Sequence, residues 1–194
     1  EIGPPEADQR ATHSILMDFY AEEAQGYLDR YDATAEDFAR VAVKNRDNGS
    51  RNPLAQYGTP QTVEDVLGSR VIVPPLTLPM CSPVTDGAAA IVLCSEEYAA
   101  RLNGGGGVEV LASEMAGGAG AGSAPVADAA AAAYRTAGVG PEEIEAIELH
   151  DAAAPAELIQ YAEIGLCEEG EGHRLLREGV TEHVSEKPVR VPVA

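Results

Sequence analysis

His150 and Asp151 stand side by side directly after the apolar stretch Ile144-Glu-Ala-Ile-Glu-Leu149 and just before segment 155–166, whose pattern suits a helix. A strand exit that leads into a helix is where open α/β sheets bring ligands, outside the carboxyl ends of the strands. An ionisable pair at that place is the first candidate for chemistry. A second reading is open: Asp151 can satisfy the free amides of the next helix as a cap, with His150 an ordinary loop histidine. A second group is basic. Arg40, Lys44, Arg46 and Arg51 fall within twelve positions, and Arg40 and Lys44, four apart, share a face if the segment is helical. Such a group could take an anion, or it could pair with the abundant carboxylates around it.

The elements that must position these residues change character along the chain. Ile15, Leu16, Phe19, Tyr20, Ala24, Tyr27, Leu28 and Tyr31 recur at three- and four-residue intervals, which predicts a helix from about Ser14 to Tyr31. Thr34 with Glu36 and Asp37 behind it predicts an N-cap, and Asn48-Gly49 a stop, framing a helix that carries Arg40 and Lys44. Thr62 predicts a cap for a short helix over 63–67, ahead of Val71-Ile-Val73 and a Pro74-Pro75 break. From Asp86 onward strands and helices are expected to alternate. Ala88 to Cys94, Val108 to Ala112 and Ile144 to Leu149 read as strands. Helices follow from Ser95 to about Asn103, from Val126 to a stop at Gly138, and over 155–166, with a last turn near 174–178. Three such repeats predict an α/β layer with helices packed on a sheet. The run Gly104-Gly-Gly-Gly107 precedes a strand rather than opening a helix, and no Gly-Lys-Ser/Thr follows, so it is not a phosphate loop.

Composition sets limits around this. With 194 residues the chain can bury a substantial core in one domain or two small ones. Its net charge of −19, from 13 Lys and Arg against 32 Asp and Glu, repels a phosphate backbone and disfavours nucleic-acid partners. No apolar run of about 18 residues could cross a bilayer, and the first residues lack the pattern of a secretion signal, so no membrane is expected and the cytoplasm is the expected compartment. Cys81, Cys94 and Cys167 form neither an even set nor a CxxC pair, which suits buried, unreactive thiols and no metal site. There is no initiator Met, and the tail 186–194 shows no closing element, so a fragment or a processed product is expected.

The strings Ala42-Val-Lys-Asn45, Asn52-Pro-Leu-Ala-Gln56, Cys81-Ser-Pro-Val-Thr-Asp-Gly-Ala-Ala-Ala90, Tyr134-Arg-Thr-Ala-Gly138, Glu148-Leu-His-Asp-Ala152 and Glu157-Leu-Ile159 resemble the thiolase superfamily, most closely its sterol-carrier or lipid-transfer branch. The resemblance runs in order from about Ala21 to Gly179. It implies a thiolase-like α/β fold, with 1–80 a helical loop-domain-like region and 81–194 part of the C-terminal βαβ half. It implies action on acyl-CoA thioesters in lipid metabolism, by carbon–carbon bond cleavage or formation and acyl transfer. Coenzyme A then enters as the substrate's thioester, which gives Arg40, Lys44, Arg46 and Arg51 a role on its phosphates. His150 matches the strand-end position that donates to an oxyanion, and Glu157 the motif's acidic residue that orients its neighbours. A fixed donor aimed at a developing oxyanion contributes several kcal/mol. Asp151 is left with the capping role.

Three departures qualify what the resemblance implies. The family's nucleophilic cysteine belongs upstream of these residues, and its Gly-His-Pro segment and late Cys-x-Gly motif belong downstream of them. Ala153 and Ala156 stand where the branch usually has Phe and Asn, which widens the expected pocket. An alternative is a retro-aldol lyase for steroid side-chain acyl-CoA, working without the cysteine and with a small partner protein; Tyr57, Tyr134 and Tyr161 would then matter. A third reading is a non-catalytic subunit. A homodimer, or a heteromer with a second subunit, is expected.

Overall fold

The structure is a computed structural model and describes residues 14–102, 107–118 and 124–182. The glycines at 104–106, the linker at 119–122 and the tail from 186 onward lie outside the described residues. Seven α-helices and one two-stranded sheet are formed among those described.

Helix α1 (Ile15–Arg30) starts where Ser14 accepts a bond from the Leu16 amide, as expected of its N-cap. Ala21, Ala24 and Tyr27, three apart, are buried, whereas Ile15, Leu16 and Phe19 face outward. The periodicity therefore located the helix, but only its second half enters the core. Helix α2 (Ala35–Ser50) begins at Thr34, whose backbone amide donates to Asp37 Oδ2 at 2.8 Å. It runs through the Asn48-Gly49 pair, one residue past the expected stop. Phe38, Ala39, Val41 and Ala42 form its buried stripe. Helix α3 (Val63–Leu67) is capped by Thr62, as its sequence predicts, and the Asp65 carboxylate accepts from the Thr62 amide in return.

The short strands β1 (Val71–Val73) and β2 (Leu76–Thr77) pair antiparallel on either side of the two prolines. A single 3₁₀ turn (Leu78–Met80) then carries the chain to Cys81, which bridges to Ala153, while the Ser82 amide donates to the Ala152 carbonyl at 3.0 Å. These bonds hold the approach to helix α6 (Ala154–Glu163) against the end of the helical region. Helices α4 (Glu96–Ala99) and α5 (Pro125–Ala137) precede it; α4 is capped by Ser95 but is shorter than expected. Gly138 ends α5 at φ 72°, a left-handed conformation that favours glycine. The Tyr134 hydroxyl donates to the Ile164 carbonyl at 2.8 Å and fastens α5 to the end of α6.

Helices α2 and α6 are the hubs. Both touch each other and the last helix α7 (Gly172–Arg177); α1 packs on α6, and α3 on α2. Phe38, Val41, Leu158 and Leu166 are almost wholly enclosed where they meet. Arg177 of α7 closes the assembly by donating to both oxygens of Asp37, each at 2.8 Å, while Asp37 is 1% exposed. Burial pushes the Asp37 carboxyl up, but the bonds from Arg177 and Thr34 outweigh it and hold the group below the usual carboxylate range.

The three strands expected at 88–94, 108–112 and 144–149 are not formed: these segments join no ladder among the described residues. Ile91, Val92 and Val108 are 84%, 92% and 95% exposed. An apolar run states which residues prefer to be buried, yet a strand exists only when a neighbour supplies its hydrogen bonds.

Candidate functional site

Helix α2, segment 144–149 and helix α6 surround a cavity of about 490 Å³. Lys44 and Asn45 reach it from the last turns of α2, Asp151 from the turn before α6, and Glu157 and Tyr161 from α6 itself. The last two are four residues apart and so share one helical face. That face turns inward, with each residue 4% exposed.

A carboxylate so enclosed requires partners, because an unpaired buried charge is strongly destabilising. Glu157 has three. Lys44 Nζ lies 2.8 Å from Oε1, the Asn45 amide donates to Oε2 at 2.9 Å, and the Tyr161 hydroxyl donates to Oε1. The Lys44 side chain is itself only 12% exposed, so the pair is poorly screened by solvent. The same Asn45 nitrogen also donates to Asp151 Oδ2 at 3.2 Å, which places both carboxyl groups on one amide. Burial pushes the Asp151 carboxyl up to about 6, and the neighbouring charge of Glu157 adds to the effect. Burial, then Glu157, likewise pushes the Tyr161 hydroxyl far above its ordinary range, so it remains a donor.

Asp151 therefore does not have the capping role expected of it. Helix α6 has Ala153 at its N-cap, with no side-chain bond there, and the Asp151 carboxylate is turned to Asn45 instead. His150 presents its side chain to solvent and lies outside the cavity lining, while its carbonyl accepts from Gln160 Nε2 at 2.9 Å.

The basic group is dispersed. Arg40 pairs with Glu36 at 2.5 Å, Lys44 with Glu157, and the Arg46 guanidinium sits 3.7 Å over the ring of Tyr57. Arg40, Lys44 and Arg51 meet again around a smaller cavity of about 190 Å³, where Arg177 joins them and Arg46 does not. Of the three tyrosines, Tyr161 alone lines the large cavity; Tyr57 is under Arg46 and Tyr134 is spent on Ile164. Burial pushes the Cys81 thiol up and the Cys167 thiol to about 11, which deprives both of the thiolate that nucleophilic chemistry needs. Among the described residues no group of three or more His, Cys, Asp or Glu could hold a metal ion, and no helix is long and apolar enough to cross a membrane.

Asn45 is the residue that the pattern along the chain did not single out. It lies 106 positions from Asp151 and 112 from Glu157, and only folding brings them together. The spacing of Glu157 and Tyr161 on one helix was the available signal for their contact.

Helices packed on α2 and α6 enclose two carboxyl groups at the turn that opens α6. Residues 107–191 match the family model described as thiolase C-terminal domain-like. The benzoylsuccinyl-CoA thiolase subunit BbsB of Thauera aromatica is 38% identical over 91% of this chain and 48% of its own length. Sterol carrier protein 2 of Bos taurus is 33% identical over 85% of the chain and 33% of its own length. The acetyl-CoA acetyltransferase of Methanothermobacter thermautotrophicus is 34% identical over 95% and 49%, respectively. Among solved structures, an Ltp2-ChsH2(DUF35) aldolase superposes with a TM-score of 0.76 at 32% identity, over 84% of this chain and 46% of that one. The chain is similar to thiolase-superfamily proteins over most of its length and shares their fold, and it spans about half or less of the length of these relatives.

Proposed function

We propose that this chain forms part of an enzyme that makes or breaks a carbon–carbon bond beside an acyl-CoA thioester. The observation that carries the reading is the cavity where Lys44 and Asn45 of α2 hold Glu157 and Asp151 at the entrance to α6. Bond cleavage or formation next to a thioester places negative charge on a carbonyl oxygen, and a fixed donor lowers that barrier by several kcal/mol. His150, at the exposed end of the same turn, is the donor in this reading. Glu157 orients the turn behind it. The cavity bearing Arg40, Lys44, Arg51 and Arg177 takes the coenzyme A phosphates, with residues before 81 serving as the loop-domain-like region and those after as part of the C-terminal half. A second subunit completes the site.

Aldol cleavage is the favoured alternative to thiolysis on one observation: Tyr161 is the tyrosine that faces the cavity, and an aldolase assembly is among the structures to which this fold is similar. The test is an assay of the protein in its native assembly with 3-oxoacyl-CoA plus free thiol, and separately with a 3-hydroxyacyl-CoA. Turnover with either establishes the reaction class. His150→Ala is expected to lower it at least about tenfold; unchanged turnover removes His150 from the mechanism.

A further inference from the structure

Asp151 and Glu157 approach the cavity from different elements, a turn and a helix, yet meet on the single amide nitrogen of Asn45 at 3.2 and 2.9 Å. Glu157 already has Lys44 and Tyr161 on its other oxygen. Asp151 has no cation of its own there. The charged or titratable groups that share the cavity are Lys44 from α2, Glu145 and Glu148 from segment 144–149, and Glu157 and Tyr161 from α6. Lys44 is the one cation among these, against four carboxyl groups counting Asp151, and its ammonium is on Glu157.

We propose that Asp151 is a further catalytic residue, an acid and base that carries a single proton for the Asp151–Glu157 pair and exchanges it with the ligand in the cavity. The inference rests on the acyl-thioester reading above. Two carboxyl groups on one donor cannot both ionise cheaply, and the one without the ammonium is the one that keeps the proton. Burial and the charge of Glu157 bring the Asp151 group to about 6, where it is available in both forms near neutrality. In the cleavage direction the electron pair of the broken bond becomes the thioester enolate. The Asp151 carboxyl gives its proton to the enolate carbon, yielding a neutral thioester and an Asp151 carboxylate. In the forming direction the carboxylate removes the same proton. In retro-aldol cleavage the proton that the substrate hydroxyl loses as the product carbonyl forms passes through water to the Asp151 carboxylate and restores the carboxyl, so no oxidant is needed; in thiolysis a free thiol takes the acyl fragment and its proton does the same.

The test reads the proton directly, by infrared titration of the intact assembly from pH 4 to 9 as a difference between wild type and Asp151→Asn. A protonated-carboxyl band that disappears with a midpoint near 6 and is missing from Asp151→Asn supports the pair. In Glu157→Gln that midpoint should fall by about one unit or more, because the neighbouring charge is gone. Should that variant fail to fold, Lys44→Met serves instead: it unmasks the Glu157 charge and should move the midpoint upward. A band that survives Asp151→Asn, or a midpoint indifferent to the charge beside it, overturns the proposal. In turnover, wild type should show a pH limb near 6 that Asp151→Asn abolishes along with at least about a hundredfold of the rate; a retained limb also overturns it. The two readings fail separately. If the band behaves as stated while no thioester is turned over, the proton pair stands and the acyl-thioester function falls.

Discussion

The unpaired segments of this chain are richer in apolar residues than the helices, yet it is the helices that bury theirs. In α2, α6 and α7 the apolar side chains are enclosed, with Phe38, Val41 and Leu158 at 1% exposure or less. In segments 88–94 and 108–112, Ile91, Val92, Leu93 and Val108 lie open. The difference lies in the backbone. A helix satisfies its own amides and carbonyls and needs only one apolar stripe covered, whereas a strand needs a neighbour for every bond before burial can repay it. The site sits on the boundary, with α2 and α6 on the closed side and segment 144–149 on the open one.

The sharpest way to break that contrast is to truncate matched side chains on each side. Phe38→Ala should cost about 3–5 kcal/mol in chemical denaturation, whereas Val92→Ala should fall within about 0.5 kcal/mol. An equal cost would mean that the open segment is buried in solution. Arg177→Ala comes next. It leaves the enclosed Asp37 carboxylate without its guanidinium, and about 2 kcal/mol of stability should be lost at pH 7, discounted because Arg177 is partly exposed. The folded Asp37 group is held below its ordinary value. Its contribution is therefore present above about pH 4 and lost as pH falls further, so the gap between wild type and Arg177→Ala should close in acid.

A smaller effect is expected at His173, 1% exposed in α7, with Nδ1 3.3 Å from the Tyr27 hydroxyl. Burial, with Arg177 nearby, lowers its ionisation below the ordinary histidine value. The unfolded chain then binds the proton more readily, so stability is full above about pH 6.5 and declines below it. Thermal melts at pH 7 and 5 should show this decline in wild type and a weaker one in His173→Phe. Asp151→Asn should have the opposite sign. The folded Asp151 group is raised to about 6, so wild type loses stability as pH climbs through that value, and the variant should gain relative to it at pH 8 but not at pH 4. Parallel melting curves for the two proteins would remove the coupling to Glu157. Arg40→Ala, which breaks only an exposed pair with Glu36, should change stability by less than about 0.5 kcal/mol.

Much of the helical layer was legible because its signals are local. Ser14, Thr34, Thr62 and Ser95 each stand at a helix start, and Gly138 at a stop, where a side chain or a backbone conformation acts within a few residues. The unformed strands at 88–94, 108–112 and 144–149 were misread for the complementary reason, since their pairing depends on neighbours that no local pattern names. At the site, Glu157 was readable from its motif and Lys44 from its basic group, but the role expected of Lys44 was an anion and its observed partner is Glu157. Asp151 was assigned to a cap next in sequence, and its carboxylate went to an amide 106 positions away.

By itself the sequence determined the family resemblance, the helix starts and the residue types available for chemistry, because motifs, caps and periodicity are properties of neighbouring positions. Only the tertiary structure decided that Asn45 joins Asp151 to Glu157, that Tyr161 rather than Tyr57 or Tyr134 meets them, and that His150 faces solvent. Those choices follow from the packing of α2 on α6, which encloses two carboxyl groups and leaves them to compete for one ammonium and one amide.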